Sequence, residues 1–154
     1  PSMKWVNPPV AFMMHAGVPR LIEAGACLPG LHEVGDPRRV ALEAYPGLLA
    51  RSVLGRTPYK SDDRQRQTPE RLIARETLVD ALGAGRVPLL RCAGLRLVLS
   101  PAQRDVLAGD ASGDSLDAVL CLAQAAWALA RHEAGDPRWG LPPCDPLEGW
   151  IVGA

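Results

Sequence analysis

The chain has 154 residues, 47% hydrophobic and 22% charged, a balance that excludes wholesale disorder and fits a single domain over residues 1–154 with a buried core. Its 17 Lys and Arg offset 17 Asp and Glu, which excludes the strong overall basicity that steers nucleic acids to a surface. Any contact with nucleic acid must therefore come from a local patch.

In chain order, Asn7-Pro8-Pro9 reads as a cap with prolines in the first turn, predicting a short helix from Val10 to His15. Gly17-Val18-Pro19 breaks it, and a second short helix runs from Pro19 to Ala24, ended by Gly25. After a loop through Gly35-Asp36-Pro37, the stretch Arg39 to Tyr45 reads as a strand stopped by Pro46. Helix resumes from Gly47 to Leu54. The segment Tyr59 to Thr68 is polar, and Thr68-Pro69 opens a helix that Gly83 and Gly85 close. Leu95 to Leu99 reads as a short strand, and Ser100-Pro101 caps a helix through Leu107. From Asp114 to His132 the residues Leu116, Val119, Leu120, Ala123 and Trp127 recur at spacings of three and four, the strongest helical pattern in the chain. Gly149 to Val152 closes the chain as a short strand.

Cys27, Cys92, Cys121 and Cys144 are scattered and form no close pair, so reduced thiols in a cytoplasmic protein fit better than a zinc site. No apolar run reaches the roughly 20 residues of a membrane span, and no signal architecture stands at the N-terminus. Pro1-Ser2 ahead of Met3 reads as the remnant of a cleaved tag.

Three features can carry chemistry. Glu43 interrupts an apolar strand, where a carboxylate costs desolvation unless it is paired, bound to a cation or able to reach solvent at the strand edge. Asp114 and Asp117 share one helical face, with Asp110 just upstream. Such a set is neutralised by a cation or serves as ordinary N-terminal capping. Lys60, Arg64 and Arg66 are suited to phosphate, but Asp62 and Asp63 interleaved with them favour a solvated loop. His15, His32 and His132 have no companion at ligand spacing and receive no role.

Several of these segments together resemble a family. Val40-Ala41-Leu42-Glu43-Ala44-Tyr45-Pro46 followed by Tyr59-Lys60 is similar to the E-x-Y-P and Y-K segments of the predicted RNase H-like nucleases filed as domain of unknown function 429. The likeness continues through Ala102-Gln103-Arg104-Asp105, Asp110-Ala111, Asp114-Ser115-Leu116-Asp117-Ala118 and Glu148-Gly149-Trp150-Ile151, in family order along nearly the whole chain.

The resemblance implies an α/β fold, an RNase H-like mixed sheet flanked by helices, here lacking the N-terminal strand hairpin and its aspartate. It implies a metal-dependent nuclease or phosphodiesterase with Glu43 and Asp117 catalytic. Glu43, Asp114 and Asp117 would hold Mg or Mn, and Lys60 would contact phosphate. Glu148 is the one late carboxylate that could join them. An exposed sheet edge would favour a homo-oligomer. The alternative is a catalytically silent RNase H-like fragment acting as an interaction or structural module.

Overall fold

The computed structural model describes residues 10–154. Pro1-Ser2 and the cap at Asn7-Pro8-Pro9 lie outside them. Their order is α1 (Val10–Glu23), β1 (Ala26–Cys27), β2 (Asp36–Val40), α2 (Pro46–Leu54), a 3₁₀ turn (Arg64–Arg66), α3 (Pro69–Gly83), α4 (Pro88–Cys92), α5 (Pro101–Gly109) and α6 (Asp114–Glu133). The class is mixed α/β, dominated by helix.

Four helices, α2 to α5, begin on proline. The missing N–H costs nothing in a first turn, and the ring presets φ for the helix. At α5 the start is reinforced by a reciprocal pair: Ser100 Oγ accepts from the Gln103 N–H, and Gln103 Oε1 accepts from the Ser100 N–H.

The main core lies where α3 and α6 meet α2, α4 and α5. Leu78 and Leu82 of α3 and Leu116 and Leu120 of α6 are fully buried, with Leu49, Val87 and Leu90 around them. In α6 these are the periodic positions, so burial follows the apolar stripe. In α3 the expected apolar face of Leu72, Ile73, Leu78, Val79 and Leu82 is buried only at its last three members, Leu72 and Ile73 being exposed and Arg75 buried. A second, smaller cluster gathers Ala128, Leu141 and Val152 against Leu42, Ala44 and Trp127.

The extended elements differ from the sequence reading. β1 and β2 form a two-stranded parallel ladder, pairing Ala26 with Asp36 and Cys27 with Val40 across an irregularity. Among the described residues this ladder is the only named sheet, in place of a larger mixed sheet. The strand expected over Arg39 to Tyr45 therefore ends at Val40, and residues 41–45 continue it with β1 as partner only at Ala41. The Ala41 N–H donates to Cys27 O, Glu43 O accepts from the Val152 N–H, and the Tyr45 N–H donates to Gln124 Oε1.

Leu95 to Leu99 is likewise no strand, although Leu95, Leu97 and Leu99 turn inward while Arg96 and Val98 turn out. The segment has the alternation of a strand, but its backbone bonds to helix ends, as in Leu97 N–H to Leu82 O. Gly149 to Val152 is also no strand, since its backbone meets Glu43 and Gln124 rather than a ladder. Helix α1 is continuous where two helices were expected: Pro19 sits inside it and removes one helical hydrogen bond without breaking the run. The short α4 was not foreseen, because five residues carry no periodic signal.

Candidate functional site

The chemistry-bearing residues of α6 are placed by how that helix starts. Asp110 folds back over the first turn: one carboxylate oxygen accepts from the Ser115 N–H at 2.9 Å, the other from the Ser112 N–H at 3.1 Å and the Ser112 hydroxyl at 2.7 Å. The Ser112 hydroxyl first, then the Ser115 amide, hold the Asp110 carboxyl well below the usual carboxylate range. Asp110, which ends α5, thus caps the first turn of α6 from outside, the N-cap position itself being Gly113. Gly113, at φ +75°, makes the turn into the helix.

That turn leaves Asp117 one turn inside α6, facing Tyr59 and Lys60. The Tyr59 hydroxyl donates to Asp117 Oδ1 at 2.5 Å, and Lys60 Nζ donates to Asp117 Oδ2 at 2.5 Å. Burial opposes the charge on Lys60, but the hydrogen bond to Asp117 and the charges of Asp117, Asp114 and Asp62 outweigh it and raise the ammonium pKa. Burial, then the Asp117 hydrogen bond, pushes the Tyr59 phenol far up, so it stays a donor. The same burial and the Asp117 charge raise the Cys121 thiol.

The Tyr59-Lys60 backbone is held from α3. Arg75 is 4% exposed, yet its guanidinium reaches two carbonyls, Tyr59 O at 2.8 Å and Ala108 O at 2.6 Å. One turn earlier, Arg71 donates to Lys60 O. On the far side the stem of Lys60 lies on Gly113, where an added Cβ would stand 2.7 Å from Lys60 Cβ. The result is a cleft of about 310 Å³ bordered by Tyr45, Gly47, Arg51, Arg56, Lys60 and Asp117. Arg51 and Arg56 line it with Lys60, and neither has a side-chain ion-pair partner among the described residues.

Of the other expected residues only Asp114 acts on this site, through its charge on Lys60. Glu43 borders a separate apolar groove between α1 and residues 41–44, with Met14, Val18 and Leu31. Gly149 packs beside it, an added Cβ there standing 3.4 Å from Glu43 Oε2. Asp114 is exposed and accepts from the Ser112 hydroxyl at 3.2 Å. Glu148 is exposed. Within the polar loop Arg66 pairs with Asp63 at 3.3 Å, and Arg64 is exposed, so of the three loop cations only Lys60 turns inward.

Among the described residues no three His, Cys, Asp or Glu side chains meet as a cation-binding group. Both Asp117 oxygens already accept from Lys60 and Tyr59. As arranged, Asp117 is held by protein donors and stands in no group of three ligating side chains among the described residues.

Residues that carry the site but escaped the sequence reading are Arg71, Arg75, Gly113 and Gln124. The four-residue spacing of Arg71 and Arg75 puts both on one face of α3, and that was their only signal. Gln124, fully buried in the apolar run of α6, donates to Val152 O at 2.7 Å and accepts from the Tyr45 N–H at 3.1 Å. A buried amide in such a run asks for backbone partners, which is the signal that could have found it. No protein-family model matches the chain, and no curated protein and no solved structure matches it either.

Proposed function

We propose that this chain binds a phosphodiester in the cleft between Lys60 and Arg51. The observation that carries the reading is the arrangement of Lys60 on Asp117, with Arg51 and Arg56 lining the same cleft. Lysine and arginine recognise phosphate oxygens by charge-assisted hydrogen bonds. Asp117 fixes where the ammonium stands, and its own charge keeps the cleft selective for a ligand that brings more than one oxygen to share among the three cations. The position of Glu43 in another groove, apart from Asp114 and Asp117, favours binding over hydrolysis. A hydrolytic role for Mg or Mn would need those carboxylates to meet, and the resemblance to predicted RNase H-like nucleases is then a likeness in substrate class.

The test is fluorescence anisotropy with a labelled phosphodiester oligomer against the whole chain, Lys60→Gln and Asp117→Asn. Lys60→Gln should weaken binding roughly ten- to a hundredfold, since a charge-assisted contact contributes about 1.5–3 kcal/mol. Binding should also fall as salt rises, because each neutralised phosphate releases counterion. The same samples with Mn²⁺ provide the opposing result. Cleavage that Glu43→Gln and Asp117→Asn both abolish would place the two carboxylates at one cation site and replace the binding reading with a nuclease.

A further inference from the structure

We infer that the phosphodiester is part of a single-stranded nucleic acid, and that Tyr45 stacks on one of its bases. This rests on the cleft being a phosphate site and names the substrate class for it. Tyr45 is 42% exposed at the cleft border, although the segment before it is half-buried. One side of its ring lies on Gly47, where an added Cβ would come within 2.9 Å of both Cζ and Oη. A residue with a side chain at position 47 would push the ring away, so the glycine gives the ring a seat.

The backbone beneath the ring is also fixed. The Tyr45 N–H donates to the buried Gln124, and Pro46 starts α2 directly after it. An exposed aromatic ring held from below and behind loses little freedom when a second flat group covers it. Every base has such a face, whatever its sequence.

The cations are on the same border. Arg51 and Arg56 border the cleft with Lys60, so one ligand can lay a base on Tyr45 and its phosphate on the basic wall. At about 310 Å³ the cleft is at the small end of ligand sites. In a duplex the base faces are covered by their neighbours and only the edges are open, so a ring seated in a concave cleft reaches a base face only when that base is unstacked.

The experiment measures affinity of the whole chain for four labelled probes: single-stranded DNA, single-stranded RNA, the DNA duplex, and an abasic strand with the same number of phosphates. Single strands should bind more tightly than the duplex or the abasic strand. Tyr45→Leu should weaken single-strand binding roughly fivefold or more and leave the abasic strand unaffected, as expected for the loss of one stacked base. Tyr45→Phe should keep the affinity, which separates stacking from a fold defect. Equal binding of ordinary and abasic strands, or a Tyr45→Leu variant that binds as well as the parent, overturns the stacking inference and leaves the phosphate site standing. Failure of all four probes to bind overturns both. The DNA and RNA arms identify which strand is preferred.

Discussion

The helical block α2–α6 and the margin formed by β1, β2, residues 41–45 and the tail are built on different terms. In the block each helix satisfies most of its own backbone groups, and assembly needs only apolar stripes that meet. In the margin the backbone is extended and must find partners outside itself. It finds them in the short β1–β2 ladder and then in single bonds: Ala41 to Cys27, Glu43 to Val152, Tyr45 to Gln124. The comparison teaches that one buried glutamine can replace a strand neighbour, joining the cleft border to the tail through Val152.

The largest expected effect tests the block. Leu116→Ala, at a fully buried position, should lower stability by about 3 kcal/mol, read as a shift of the whole thermal transition. Arg75→Leu tests the contact through which the block orders the site. It leaves the carbonyls of Tyr59 and Ala108 without that donor, should cost about 2 kcal/mol, and should weaken phosphate binding at Lys60 as well.

Gln124→Leu tests the margin. It should cost about 1–2 kcal/mol, with amide exchange accelerated at Tyr45 and Val152 while the amides of α3 keep their protection. Equal acceleration throughout would mean that margin and block open as one unit.

The smallest effect is at the start of α6. Asp110→Ala should cost about 1 kcal/mol at neutral pH through loss of the cap. Because the folded carboxyl is depressed, its contribution is complete above the ordinary aspartate value of about 4 and is lost as pH falls towards the folded value. The gap between parent and variant in an acid titration should therefore close below about pH 4 and stay constant above about pH 5.

The helices were legible wherever a cap or a first-turn proline met an apolar period. Ser100-Pro101, Thr68-Pro69 and the stripe from Leu116 to Trp127 all lie on observed helices. The extended segments were legible only as alternation. Leu95 to Leu99 alternates inward and outward as a strand does, but alternation cannot say whether a ladder partner exists. At the site, Lys60 and Asp117 were singled out by residue type, and the structure brings them together, while Glu43 looks into another groove.

The residue order alone carried the capped and periodic helices, the buried stripe of α6 and the residue types suited to phosphate, because those follow from spacing and chemistry within a few residues. Only the tertiary structure decided that Asp117 meets Lys60 across 57 positions and that Gln124 bridges residues 79 and 28 positions away. Such pairings depend on how helices pack and on where an unpaired backbone group must find its partner, and neither is written in any local pattern.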